Sequence, residues 1–242
     1  MNVTKFNGYV ERMLVVPQGV DTSKITTGVV YNSNGTFSHV PTQITVIDGK
    51  YYARINSLTN SSYSVIWSPR TFADVEKHWA KDAVNDMGSR LVITGSPNGM
   101  FEPQKDITRA EFAAIVVNGL GLMRPGTGKS NFTDVQKDKW YYDAVSIASE
   151  YGLVAGCGNG KFGPNDKVTR EQAMAIISKA MNITGLKVQL ASGEQEKLLS
   201  AFKDGTKAAE YSKAAIAACL KAELVKGQSN GIIAPKSNIT RA

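Results

Sequence analysis

Between residues 8 and 67 the chain carries short runs rich in Val, Ile, Thr and Tyr: YVERMLVV, TTGVVY, TFSHV, ITVI, YYARI and YSVIW. They are separated by the polar breaks Pro17-Gln18-Gly19, Asn32-Ser33-Asn34-Gly35, Asp48-Gly49-Lys50 and Asn60-Ser61-Ser62. β-Branched and aromatic residues bounded by turn formers suit half-buried strands. Asp48-Gly49 between two alternating runs marks a tight hairpin. This part predicts about six strands arranged as a small antiparallel sandwich, or the closing half of one.

Beyond Thr71 the apolar spacing lengthens to that of a helix. Trp79, Ala83, Val84, Met87 and Leu91 predict a helix from about Trp79 to Val92, with counterparts over Tyr141 to Tyr151 and Ala208 to Leu220. A turn follows each one, at Asn98-Gly99, Asn159-Gly160 and Asn230-Gly231, and then Phe101, Phe162 or Ile233 and Pro103, Pro164 or Pro235. A second helix begins at Thr108 and again at Thr169. Glu111 and Gln172 three residues on complete a capping box, in which each end of the pair satisfies an amide of the other. SGEQEKLLSAF, ahead of the third block, predicts a short capped connecting helix.

The helical part is therefore a repeat. FADVEKHWAKDAV, FTDVQKDKWYYDAV and FKDGTKAAEYSKAAI open three blocks, and Thr108-Arg109-Ala110, Thr169-Arg170-Glu171 and Thr240-Arg241-Ala242 close them. Phe72 to Phe132 spans 60 residues and Phe132 to Phe202 spans 70. A period this long outranks any local motif as a guide to architecture. It divides the chain into a β-rich module at 1–70 and repeats at 71–130, 131–191 and 192–242, an α+β chain with the two kinds of structure segregated.

Composition narrows the functional classes. Of 242 residues, 42% are hydrophobic and 20% charged, which is the balance of an ordinary globular protein, with no apolar run long enough to span a bilayer. Net charge is +7, but no Lys/Arg cluster with interleaved aromatics appears, so the excess favours an anionic partner in general and not nucleic acid. Cys157 and Cys219 support neither a disulfide framework nor a zinc site, and two histidines leave little for acid–base chemistry. MNVTKFNGYVERML lacks a leader pattern, as a piece cut from a longer precursor also would, and the chain stops at Ala242 directly after the third Thr-Arg, so the carboxyl end reads as such a cut.

The candidate chemistry lies at the closing motif. Arg109, Arg170 and Arg241 each follow a cap residue at the positive end of a helix dipole, where structural preference alone would place an acid. A guanidinium added to unpaired helix amides concentrates donors at one spot, which suits a carboxylate gripped in bidentate fashion. The competing reading makes each arginine a surface group or the partner of a nearby Asp. Trp79 and Trp140 are either core residues or stacking platforms. The opening aspartates Asp74, Asp134 and Asp204 either cap the first helices or hold the arginines.

The Phe-x-Asp-Val opening, the early Trp, the Asn-Gly-x-Phe-x-Pro loop and the Ile-Thr-Arg-Ala-Glu helix start together resemble the S-layer homology repeat of bacterial cell-surface proteins. That resemblance implies a pseudo-threefold helical prong that binds anionic secondary cell-wall polysaccharide, typically through a pyruvate-ketal sugar, in grooves between repeats. It implies an extracellular location at the wall, no catalysis, no cofactor and no membrane insertion. Its site residues would be Arg109, Arg170, Arg241, Asp74, Asp134, Asp204, Trp79, Trp140 and, in the third repeat, Tyr211. Tyr211 replaces the tryptophan, Ile233 the loop Phe and Gly205 the Val after the opening Asp, so grooves made by the first two repeats are expected to bind best. An alternative is a structural unit of the S-layer lattice whose grooves contact neighbouring subunits.

Other motifs fail on context. MRPGTGKS, 123 to 130, nearly matches a phosphate-binding loop, but Met123 stands at the first required glycine and a helix precedes it. GCGNGKFG lacks a strand before it, and Asp134, Asp138 and Asp143 miss the spacing of a calcium loop. No triad, activated nucleophile or supported carboxylate pair is visible.

Overall fold

A computed structural model describes residues 5–242; residues 1–4 of the amino-terminal segment lie outside the described residues. The chain is α+β, with its strands first and its helices after. β1 (Lys5–Val15), β2 (Thr27–Tyr31), β3 (Phe37–Val40), β4 (Thr42–Ile47), β5 (Lys50–Thr59) and β6 (Tyr63–Ile66) form two antiparallel three-stranded sheets, ordered β1-β5-β4 and β3-β2-β6. β4 pairs with β5 through Ile47 opposite Lys50, so Asp48 and Gly49 alone make the turn. Their φ angles of 49° and 75° are the left-handed pair that a two-residue hairpin of the right twist requires. Val29, Val40, Ala53 and Ile55 are buried between the sheets.

The helices are α1 (Lys81–Ser89), α2 (Arg109–Gly119), α3 (Tyr142–Glu150), α4 (Arg170–Thr184), α5 (Glu194–Ser200) and α6 (Glu210–Lys221). The first helix of each repeat starts one to two residues later than periodicity suggests. Trp79 precedes α1 and Trp140 precedes α3, both facing solvent, so neither contributes to an apolar stripe. α1, α3 and α6 all end in the same way. The residue after the C-cap, Leu91, Gly152 or Glu223, is left-handed, and the next amide reaches back to Met87, Ala148 or Cys219. This is the Schellman arrangement that satisfies orphan carbonyls. Both capping boxes form, at Thr108–Glu111 and Thr169–Gln172. α5 departs from expectation: Gly193 gives it no side-chain cap, and Glu194 instead reaches back to the Ala191 amide.

The opening phenylalanines seed each repeat's core. Phe72 packs on Phe101 at 5.6 Å and Phe132 on Phe162 at 5.5 Å, while Phe202 joins a cluster around Ile216 and Ile233. The β module sits against α2 and shares its core: Leu58 and Tyr9 pack with Ala113, Val117 and Val145, and the Tyr9 hydroxyl donates to the Leu120 carbonyl at 2.6 Å. Gly121 lies under Pro41, whose Cδ would stand 2.6 Å from any added Cβ, so the junction admits no side chain there.

Candidate functional site

The recurring chemistry of the three blocks forms a relay. Each opening aspartate accepts two consecutive amides from the loop of its own repeat: Asp74 from Phe101 and Glu102, Asp134 from Phe162 and Gly163, Asp204 from Ile233 and Ala234, all within 2.6–2.9 Å. None of them caps a first helix. Partial burial pulls the Asp74 and Asp134 carboxyls upward, and the amide donors outweigh it, leaving both below the usual aspartate range.

The carbonyl of that same loop residue accepts Nε of an arginine from another repeat. Arg109 Nε donates to Phe162 at 2.9 Å, Arg170 Nε to Ile233 at 2.8 Å and Arg241 Nε to Phe101 at 2.7 Å. Their Nη2 groups reach the carbonyls of Ala155, Lys226 and Thr94. The guanidiniums of Arg109 and Arg241 also lie over the Phe162 and Phe101 rings, at 4.7 and 4.9 Å. The first repeat thus grips the second, the second the third and the third the first. Each aspartate holds the peptide that its arginine grips, so the two side chains act on one another through a polarised amide and not directly.

The helix amides are spent on the same contact. Arg109 and Ala110 donate their backbone N–H groups to Asp166 and Pro164, Arg170 and Glu171 to Ser237 and Pro235, and Arg241 and Ala242 to Lys105 and Pro103. The third amide of α2 and of α4 goes to its threonine cap. The expected cup of unpaired amides beside a guanidinium is therefore not formed. Backbone carbonyls have no sequence signature, which is why their claim on these donors was not visible. What remains, among the described residues, is the Nη1 edge of Arg109 and of Arg170.

The three arginines differ in their partners. Arg241 also bonds Glu111 Oε1 at 2.6 Å, with only 7% of its side chain exposed and 20% of that of Glu111. Glu111 uses its other oxygen for the capping box. Among the described residues no carboxylate pairs with Arg109 or Arg170; burial lowers the pKa of Arg170, and Asp204 partly restores it.

The aromatics are on the surface. Trp79 is 82% exposed, Trp140 68% and Tyr211 62%, so none is a core residue. Two clefts bring an arginine to an aromatic. One, of about 220 Å³, lies between α2 and α3 and contains Arg241, Glu111 and Trp140. The other, of about 690 Å³, lies between α4 and α6 and contains Arg109, Gln172, Lys179 and Tyr211. In both, arginine and aromatic come from different repeats: Arg109 faces Tyr211 and not Trp79. Sequence reading missed Lys179 and the second role of Glu111 and Gln172, although the acid-to-amide change between aligned helix starts was there to be seen.

The near-match to a phosphate loop has another purpose. The Gly126 and Gly128 amides hold the Asp143 carboxylate at 2.8 and 2.9 Å, so the donors that would cradle a phosphate serve an internal acid. Cys157 and Cys219 are both free, and burial pushes the Cys219 thiol up to about 11. Among the described residues no group of acids, His and Cys is arranged to hold a metal ion, and no helix is long and apolar enough to cross a membrane.

The model of the S-layer homology domain matches residues 71–113, 131–174 and 201–242, more than half of the chain. The chain belongs to the S-layer homology family. It is 35% identical over 166 residues to a surface-layer 125 kDa protein of Lysinibacillus sphaericus, covering 67% of this chain and 13% of that protein. It is 31% identical over 188 residues to an amylopullulanase of Thermoanaerobacterium thermosulfurigenes, covering 77% and 10%. An S-layer protein of Bacillus anthracis is 34% identical over 115 residues, covering 47% and 14%. The chain spans between a tenth and a seventh of the length of these relatives, whose names include both surface-layer proteins and an enzyme. The three arginine relays of this chain lie within its matched segments.

Proposed function

We propose that this chain anchors a surface protein to the bacterial cell wall without a covalent bond, by holding anionic secondary cell-wall polysaccharide in the grooves between its S-layer homology repeats. The single observation that carries this reading is the pairing, in two inter-repeat clefts, of a guanidinium with an exposed aromatic face. A pyruvate-ketal sugar matches that pairing: its carboxylate meets the guanidinium edge that Arg109 leaves open and the apolar face of its ring lies on the aromatic side chain. The head-to-tail relays support a pseudo-threefold prong as the frame. The chain would work outside the cell, at the wall, and the reading assigns it no catalytic step and no cofactor.

Sedimentation with purified sacculi tests the proposal. The chain should pellet with intact sacculi and remain in solution once acid extraction has removed their polysaccharide. Equal pelleting with extracted sacculi, or none with either, would remove the glycan reading. The relatives named as S-layer proteins motivate a second reading, in which the clefts contact neighbouring subunits. It requires self-association in the absence of any wall.

A further inference from the structure

The two clefts differ in charge at two aligned positions: Asn118 of one stands where Lys179 does in the other, and the second difference is the third residue of the helix that opens with each Thr-Arg pair. In the α2/α3 cleft that residue is Glu111, whose carboxylate neutralises Arg241 at 2.6 Å. In the α4/α6 cleft it is Gln172, which completes the same capping box with an amide and leaves Arg109 without an acid. Arg109 donates through Nε and Nη2 to carbonyls, and among the described residues Nη1 has no partner. Lys179 adds a second cation, and no carboxylate lines this cleft among the described residues. The nearby acid Glu171 is buried and already holds Lys236, the Ala209 amide and Ser212.

We infer that the α4/α6 cleft is the site for a carboxylate-bearing sugar, gripped by Arg109 and Lys179 beside Tyr211, and that Glu111 silences the α2/α3 cleft toward anions by occupying Arg241. This rests on the wall-anchoring reading and reverses the expectation that the groove with the tyrosine substitution is the weaker one. A fixed carboxylate next to Arg241 already takes the hydrogen bonds that an incoming anion needs, and it repels that anion. Because Glu and Gln serve equally at this capping position, exchanging them changes the charge of a cleft without removing the cap.

The test is calorimetry of the full chain with a pyruvate-ketal monosaccharide and with the same sugar lacking the ketal, combined with maleimide labelling. Cys157 is exposed and lines the α4/α6 cleft while Cys219 is buried, so the labelling rate of Cys157 reports occupancy of that cleft. One ketal sugar should bind per chain and slow Cys157 labelling, and the plain sugar should do neither. Gln172→Glu should weaken binding on the order of tenfold or more, as the loss of a charged hydrogen-bonding partner does, with its melting temperature unchanged. Lys179→Gln should weaken it by a smaller factor, and Glu111→Gln should add a second site. Unchanged affinity in Gln172→Glu with Cys157 labelled at its free rate would move the ligand to another cleft and overturn the inference, while sacculus pelleting kept the anchoring reading. Equal binding of the plain sugar would overturn the role of the carboxylate. Failure to bind either sugar, together with failure to pellet, would end both.

Discussion

The helical repeats and the β module are held by different means. In the repeats one polar contact is used three times, with an aspartate, a loop peptide and an arginine in fixed order. The β module has an apolar core between two sheets, buries His39 beside Thr27 within itself, and meets the helices through contacts that occur once, Tyr9 on Leu120 and Pro41 over Gly121. A repeated directional contact makes each repeat depend on the next, so loss of one relay opens a ring. A single buried junction makes the module depend on local packing and on the protonation of what it buries.

Breaking the ring at its tightest joint should have the largest effect. Arg241→Ala removes a nearly buried guanidinium with three partners and leaves Glu111 unpaired, so a loss of about 3 kcal/mol is expected in denaturant unfolding. Arg109→Ala strands no acid and should cost about 2 kcal/mol. Adding Glu111→Gln to Arg241→Ala should recover part of the difference. Equal losses in the two single variants, with no recovery in the double, would mean that the relays are interchangeable and the Glu111 pair is idle.

Acid should act on the other region. Burial, followed by the Arg90 charge, lowers His39 to about 4, against 6.5 for the free side chain. Between those values the unfolded chain binds a proton that the folded chain does not, so this contribution is complete above pH 6.5 and is lost as pH falls toward 4. The slope is at most about 1.4 kcal/mol per pH unit, and below pH 4 it levels off. His39→Gln should flatten stability across that window. The depressed Asp74 and Asp134 carboxyls begin to matter only near and below their ordinary value of 3.8, beneath most of the His39 window. A slope that survives in the His39 variant would place the acid sensitivity elsewhere.

What could be read from the sequence follows the same division. All six strands, the Asp48-Gly49 turn and both capping boxes were legible, because turn residues and the two periodicities carry them locally. Recurrence identified Arg109, Arg170 and Arg241 as special. It did not show that Phe162, Ile233 and Phe101 would offer them carbonyls, because a backbone acceptor looks the same at every residue. Trp79 extended the apparent helical stripe toward the N-terminus, where an exposed aromatic mimics a core position. The approach of Arg109 to Tyr211, a hundred residues away, depends on the order in which repeats meet, which no local pattern contains.

A milder probe of the module is the Tyr9 hydroxyl, which is partly buried and donates to the Leu120 carbonyl at 2.6 Å. Burial raises its pKa further above the usual tyrosine range, so it stays protonated and donating at any working pH. Tyr9→Phe removes only that bond and should cost about 1 kcal/mol in thermal or denaturant unfolding, with binding to sacculi unchanged. A loss several times larger would show that the junction supports the ring itself, and the contrast between the two regions would weaken.

The smallest expected effect bears on the repeats alone and has the opposite sign. Glu223 occupies the left-handed position after α6 at φ 57°, where the second repeat has Gly152 at φ 67°. The Cβ of a residue in this conformation crowds the adjoining carbonyl at a cost of about 1 kcal/mol, which glycine avoids. Glu223 is exposed and lines neither cleft, so Glu223→Gly should raise stability by somewhat less than about 1 kcal/mol, since glycine also gains freedom in the unfolded chain. Leu91 stands at the same position at φ 63° but is partly buried, and Leu91→Gly should gain less because it also removes an apolar contact. If Glu223→Gly destabilised the chain while leaving the pelleting assay intact, the three helix ends would not be equivalent, and the repeat would set backbone geometry less strictly than it sets the arginine relay.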